Sequence, residues 1–370
     1  MTERTPRPLR IDTLEATHFR NLSRLSIEPG PAFNVVHGDN GAGKSSLLEA
    51  IYYLGALRSF RGAKADDLVM LGQDSARLQA RISGGPARRS YRATIRRRKA
   101  RELKLDEKRP RSIGVWHASV QMVLFHPGHL SLASGPADQR RVFLDRVLEQ
   151  LDPTYGSTLT SYQKALRSRN RLLKSDEPDP RGIRAFDELL ASAGAVIATT
   201  RARLVADIAP LTEKAFADVV GEEVPLRVEY KPRVPPSVQA IREALDASFE
   251  KDLARGFTAD GPHGDDLALD IADRAPARHH ASQGQHRAIV LALKVAELEV
   301  LSRRTDRIPI LLLDDVSSEL DRTRNRRFFA LLGRLGGQVF LTTTHPEFIL
   351  LEEGRTDFAV QNGEITREDE

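Results

Sequence analysis

Apolar and polar positions change their period twice along this chain. Residues 9–16 alternate in the manner of a half-buried strand, and residues 32–37 form a short apolar run that enters a glycine-rich stretch. After Ser45 the segment Ser46-Leu-Leu-Glu-Ala-Ile-Tyr-Tyr-Leu has helical spacing. Strand, loop and helix are therefore predicted in that order around Gly38 to Ser45. A strand-rich, charged region follows to about Val123. From Asp138 the period becomes helical, over residues 138–151, 155–173 and 183–220, with loops rich in Pro and Asp such as 176–182 between them. The proline-rich stretch 224–238 reads as a boundary or an irregular connection. Strand patterns return at 266–271, 310–313 and 338–342, with a helix between Ser282 and Leu301. No tandem repeat of solenoid period is present.

These periods predict an α/β domain built from both ends of the chain and interrupted by a mainly helical arm. The expected divisions are 1–130, 131–255 and 256–370. A length of 370 residues accommodates two or three domains, and 40% hydrophobic residues fill more than one core, which excludes disorder as the main state. The longest apolar runs are far shorter than a bilayer span, so no membrane association is expected. Cysteine is absent, which removes disulfide frameworks and thiolate metal sites. The 56 Lys and Arg against 51 Asp and Glu leave a net charge of +5, which permits a nucleic-acid partner without requiring one.

Gly38-Asp-Asn40-Gly41-Ala-Gly43-Lys44-Ser45 matches the phosphate-loop pattern G-x-x-x-x-G-K-[ST], in the strand-to-helix context that the pattern needs. Glycine lets the backbone wrap phosphate oxygens with converging N–H groups, and the helix start adds unpaired donors and a favourable dipole. Lys44 is expected on the β and γ phosphates, the Ser45 hydroxyl on Mg2+, and Ser46 beside them. The loop by itself does not separate ATP from GTP, but the N-K-x-D base-reading motif of GTP switches is missing. Ile310-Leu-Leu-Leu-Asp314-Asp315 reads as a buried strand ending in two carboxylates at the ligand edge of the sheet. Asp314 is the expected magnesium-linked carboxylate, and Asp315 the candidate for orienting the attacking water.

Ser282-Gln-Gly284-Gln285 precedes an amphipathic helix and forms an S-x-x-Q capping box. The same residues at a helix N-terminus can also serve as a second phosphate clamp. With the phosphate loop and Leu311-Leu-Leu-Asp-Asp-Val-Ser-Ser-Glu-Leu-Asp321, they resemble the ATP-binding-cassette heads of the structural-maintenance-of-chromosomes and Rad50 class. Further matches are Phe19-Arg-Asn-Leu22, Leu57-Arg-Ser-Phe-Arg61, Gly135-Pro-Ala-Asp-Gln-Arg-Arg-Val-Phe-Leu-Asp145 and Gly261-Pro-His-Gly-Asp-Asp-Leu267. The likeness spans about residues 9–345. It implies a head-to-head homodimer in which Ser282, Gly284 and Gln285 of one copy complete the nucleotide site of the other. It further implies a linking role for Asp321, a magnesium contact for Gln121 and a γ-phosphate contact for His345. Two departures stand out: Gly264 where the family usually has Arg, and Gly128 where it usually has an acidic residue.

Residues 88–111 carry 12 Lys or Arg against three acidic residues. Arg96, Arg97, Arg98, Lys99 and Arg101 within them suit binding to a phosphate backbone with little sequence preference. Lys164, Arg167, Arg169, Arg171 and Lys174 form a second basic group, of which Lys164, Arg167, Arg171 and Lys174 share a helical face. No base-reading motif is present. The resemblance implies recombinational repair of gapped double-stranded DNA, with RecR and RecO as partners, help to RecA in displacing single-strand-binding protein, links to the SOS response and replication restart, and a cytoplasmic, nucleoid-associated location. It also implies a slow, DNA-stimulated ATPase that switches rather than cycles rapidly. Three alternatives stay open: a transporter ATPase subunit, a chromosome-organising or Rad50-like protein, and a DNA-binding scaffold with a vestigial ATP site.

Overall fold

The computed structural model describes residues 6–220, 224–272, 275–315, 326–327, 329–330, 332–333, 336–349 and 354–368. In chain order the main elements begin with β1 (Arg10–Phe19), β2 (Leu22–Ile27), β3 (Phe33–His37), α1 (Lys44–Ala56), β4 (Ser75–Ser83), β5 (Arg89–Arg96), β6 (Glu102–Leu105) and β7 (Met122–Phe125). They continue with α2 (Ala137–Leu151), α3 (Tyr155–Leu173), α4 (Asp187–Val220), β8 (Leu226–Lys231), α5 (Val238–Ala247), β9 (Asp266–Ile271) and α6 (Gln283–Thr305). The chain ends with β10 (Ile310–Asp314), β11 (Val339–Thr343), β12 (Arg355–Gln361) and β13 (Glu364–Glu368). Two compact units divide it. Met1–His129, Asp218–Val220 and Glu297–Glu370 form one, and Leu130–Ala217 with Gly221–Ala296 form the other.

In the first unit a six-stranded sheet has the order β13-β12-β3-β11-β10-β7. All pairs are parallel except β12 with β13. Every residue of β10 and β11 is buried, as expected of parallel strands covered on both faces. A five-stranded antiparallel sheet, β2-β1-β4-β5-β6, has the half-buried pattern instead: Ala76, Leu78, Ala80 and Ile82 of β4 face inward, and Arg77 and Arg81 face water. The helix α1 is buried on all sides from Ser46 to Gly55, because its Leu47, Leu48, Ile51 and Leu54 share one core with Leu14, Leu78 and Ile95 of one sheet and Leu312 and Phe340 of the other. The helix that follows the phosphate loop is thus fixed from two sides. Buried Gln338 links the sheets further, donating to Ile11 O and Gly30 O at 3.2 and 2.8 Å and accepting from Ile11 N at 2.7 Å.

The second unit is mainly helical and holds a small sheet in which β8 pairs antiparallel with β9, from Leu226 opposite Ile271 to Lys231 opposite Asp266. The expected irregular connection at 224–238 therefore contains a strand. Its prolines flank β8 at Pro225 and Pro232 rather than interrupting it, so the ladder donors survive. That pairing also moves the expected arm boundary. Residues 256–296 belong with the helical arm, since β9 is tied to β8 and Arg140 clasps Asp266 at 2.7 and 2.9 Å. Helical segment Pro180–Val220 contains an 18-residue window of mean hydropathy 1.3, long and apolar enough to cross a membrane, contrary to the expectation from apolar runs. That window is 56% buried, the behaviour of a core helix.

Candidate functional site

β3 lies inside the parallel sheet, between β12 and β11, so its C-terminal end opens at the sheet's ligand edge. There the chain turns at Gly38, which has φ +145° and would place a Cβ 2.3 Å from the Val360 carbonyl oxygen. Only glycine fits so close an approach. The loop ends at Gly43, from which α1 starts at Lys44 and offers its unpaired N–H groups. Lys44 Nζ donates to Gly38 O at 2.7 Å and Asp39 O at 3.0 Å. Partial burial lowers the Lys44 pKa from its ordinary value, against the opposing pull of Asp315, Asp39 and Asp314.

Asp314 closes β10 at the same edge and is 8% exposed. Its Oδ1 accepts from Ser45 Oγ at 2.9 Å and from Thr342 Oγ1 at 2.8 Å. Thr342 in turn accepts from Asp315 N at 3.0 Å. Two elements remote in sequence, whose Ser45 and Asp314 were both expected at Mg2+, are thereby held together by a hydroxyl–carboxylate contact. Asp315 is exposed and has φ +52°, a conformation Asp adopts more readily than most residues. Hydroxyl and carboxylate oxygens are hard donors, and this pair fits Mg2+ by its chemistry.

Asn40, Gly41, Gly43, Lys44, Ser45 and Ser46 line one cavity of about 780 Å3 together with Asp314 and Asp315. The cavity runs on past Arg20 and Arg61 to Val69 and to Leu71, which is 93% exposed. Sequence reading gave Arg20 no role, although Phe19-Arg-Asn-Leu22 marked its place. Its guanidinium is bidentate to the buried Glu49 at 2.7 and 2.8 Å, a pairing that raises its pKa and fixes it at the cavity wall. Thr342 was also missed, for it carries no motif apart from its register opposite Asp314.

Other expectations fare differently. Gln121 is not a magnesium ligand. It is fully buried, its side-chain Nε2 donates to Ala118 O at 2.7 Å, and its backbone carbonyl accepts from Ile310 N at the start of β10. Asp314 lies four residues further along that strand, about 13 Å away at the opposite edge of the sheet. His345 does follow β11 on the correct edge, but its side chain pairs with Glu347 at 3.1 Å, and from this segment Thr342 and Thr344 line the cavity. Ser282 is exposed and caps α6: Gln285 N donates to Ser282 Oγ at 3.2 Å, while Ser282 N donates to Gln285 Oε1 at 2.8 Å. Gly284 lies in the first turn of that helix. Asp321 lies outside the described residues.

Both departures from the family pattern have a steric account. A Cβ on Gly264 would meet the Arg233 stem at 3.1 Å, and Arg233 pairs with Asp260 at 3.0 Å, so another arginine already fills that space. At Gly128 the His126 ring stands 2.5 Å from the Cβ position.

The basic segments divide. Arg97 donates to the backbone carbonyls of Gln73, Val69 and Met70 and lines the cavity beside the phosphate loop, so it is not part of an open phosphate-binding face. Arg98 is exposed. Arg96 and Lys99 line a second cavity of about 1110 Å3 with Arg101, Lys104, Arg109 and Arg111; the last three belong to the basic block 88–111 but were not singled out within it. On α3, Lys164, Arg167 and Arg171 are exposed, whereas Arg169 is fully buried and bound to Asp187 at 3.0 Å and Asp252 at 2.9 Å. Its placement in the basic group is therefore corrected.

The family model described as RecF/RecN/SMC N terminal domain matches residues 10–365. The DNA replication and repair protein RecF of Myxococcus xanthus (strain DK1622) is 37% identical over 347 residues, covering 91% of each chain. A solved structure of the recombination mediator protein RecF-ATP in the RecFOR pathway superposes with a TM-score of 0.90 at 28% identity, over 100% of both chains. The Smc head domain from Pyrococcus furiosus, solved with the C-terminal domain of ScpA, shares the fold at a TM-score of 0.59 and 16% identity over 97% of this chain and 96% of that one.

Proposed function

Because this chain belongs to the RecF family, DNA replication and repair ATPases with an SMC-type head, we propose that ATP joins two copies of it head to head and that the closed pair holds double-stranded DNA beside single-strand gaps. In this reading the pair supports RecA loading together with RecR and RecO, and slow hydrolysis releases it. One observation carries the dimer: Ser282 stands exposed at the N-terminus of the 23-residue helix α6, where its hydroxyl, accepting from Gln285 N, keeps its own proton to donate to a triphosphate from outside.

Each residue of the cavity then has a task. The loop amides and Lys44 take the phosphates, with the lysine exchanging its two carbonyl partners for phosphate oxygens. Ser45 and Asp314 would hold Mg2+, which when bound neutralises charge on the β and γ phosphates. Thr342 keeps the Asp314 carboxylate turned toward Ser45. Asp315 would orient the water that attacks the γ-phosphate, and His345, just past β11, would contact that phosphate once Glu347 is exchanged for it. Asp321 would couple the two sites. Lys44, Asp314 and Asp315 all being present speaks against a vestigial site. The short arm, without heptad repeats, speaks against a long chromosome-organising or Rad50-like chain. The groove holding Arg96, Lys99 and Arg101 and the stripe Lys164, Arg167 and Arg171 are the DNA contacts in this reading.

Sizing by light scattering with ATP, ADP or neither, with and without duplex DNA, tests the dimer. Wild type is expected to dimerise with ATP, and Ser282→Arg to remain a monomer that still binds nucleotide. A dimer unaffected by the substitution would remove the shared-site reading.

A further inference from the structure

The phosphate loop is held from outside as well as by its own contacts, among them Ala42 N donating to Asp39 O at 3.2 Å. Asn21, in the turn between β1 and β2, donates from Nδ2 to Gly41 O at 3.4 Å and to Ala42 O at 3.2 Å. The Ala42 carbonyl also accepts from Gly363 N at 2.8 Å. In a loop whose N–H groups converge on an anion, the carbonyls point outward. A donor on the carbonyl side therefore fixes the peptide planes whose amides face the phosphate.

Gly363 is at the tip of the hairpin between β12 and β13, where Asn362 and Gly363 have φ +49° and +82°, the two-residue turn that Asn-Gly favours. A Cβ on Gly363 would fall 2.2 Å from Asn21 O. The same hairpin grips the entrance to the loop: His37 Nε2 lies 3.0 Å from Glu368 Oε2 of β13, and Val360 of β12 is the neighbour that abuts Gly38. Two hairpin tips and one strand pair thus touch the loop at its entry and at its bend, and none of these contacts belongs to the motif itself.

We propose that the C-terminal hairpin β12–β13, acting with Asn21, is a positioning device that sets the affinity of the phosphate loop for the triphosphate. It deepens the reading of Gly38 to Ser45 as the nucleotide site and rests on it. Asn21, Gly363 and Glu368 are positioning residues, since each acts through Ala42 or His37.

Full-length protein is titrated with a fluorescent ATP analogue, steady-state hydrolysis is measured, and melting midpoints are recorded without nucleotide. Asn21→Asp turns the donor into an acceptor facing two carbonyl oxygens. It is expected to weaken nucleotide binding about tenfold and to raise KM with kcat within about twofold, because the phosphates are gripped alike in the ground and transition states. Gly363→Ala is expected to act in the same direction, and Glu368→Ala more weakly. Glu368→Gln, which keeps an acceptor for His37, is expected to restore wild-type affinity, a rescue that a general loss of stability would not give. If Gly363→Ala fails to fold, Asn21→Asp, which leaves the packing in place, decides. Affinity within about twofold of wild type in folded Asn21→Asp would overturn the proposal. Wild type failing to bind the analogue would instead overturn the reading of the nucleotide site.

Discussion

His117 is 7% exposed, and burial, with Arg58 and Arg101 nearby, pushes its pKa down to about 4. The unfolded chain titrates this group near its ordinary value of about 6.5. The unfolded state therefore binds the extra proton first as pH falls. Stability from the neutral imidazole is complete above about pH 6.5, is lost on descending toward about pH 4, and changes no further below that. The loss amounts to about 2–3 kcal/mol between pH 7.5 and 4.5. Urea unfolding at those two values is expected to show His117→Gln losing less stability than wild type by about that amount; equal losses would place the titrating group elsewhere. Arg169 shows a different use of burial at this scale. Two carboxylates, Asp187 and Asp252, and the Thr258 hydroxyl accept its donors, so the charge is compensated inside the arm and unavailable to DNA. Helical spacing sets Arg169 off the face shared by Lys164, Arg167, Arg171 and Lys174, but only the packing of that side of α3 against Asp252 shows its guanidinium to be buried.

Among the elements, α6 bears on two readings at once, because Ser282 both caps the helix and is the residue assigned to the partner's triphosphate. The two tasks separate in Ser282→Asp. Aspartate is as good an N-cap as serine, so the melting midpoint is expected to stay within a few degrees of wild type. Its negative charge opposes a triphosphate at the same helix end, so ATP-dependent dimers are expected to disappear. Dimers persisting in this variant would assign Ser282 to capping alone. Elements whose period matches their burial were legible in advance: β9 at Asp266–Ile271, α3 at Tyr155–Leu173 and the apolar β10 all stand where the pattern put them. Strand β8 was not, since flanking prolines mask a six-residue alternation that becomes stable only when β9 pairs with it. Helix α1 was read as a helix without its burial on every face, which depends on a second sheet that local sequence does not announce.

At the scale of the whole molecule, two basic surfaces stand out among the described residues, the groove of the first unit and the α3 stripe of the second. Duplex binding through phosphates releases counterions, about 0.9 per contact, and the salt dependence counts them. Arg109→Glu with Arg111→Glu is expected to weaken binding to duplexes of unrelated sequence alike and to reduce the slope of log K against log salt by about 2. Lys164→Glu with Arg167→Glu is expected to do the same independently. A slope unchanged in either pair, measured by fluorescence anisotropy across a salt series, would remove that surface from the DNA contact.

Local chemistry alone was enough to identify the phosphate loop, the acidic strand end and the capping box, because each is a short run whose residue types have few other uses. Pairings between segments apart in sequence, by 21 residues for Asn21 with Ala42, 269 for Ser45 with Asp314 and 331 for His37 with Glu368, were decided by the tertiary structure. Gln121 illustrates the limit most simply. A glutamine before a buried strand reads the same whichever end of the sheet it occupies, and only the parallel register with β10 puts it at the edge away from the phosphates.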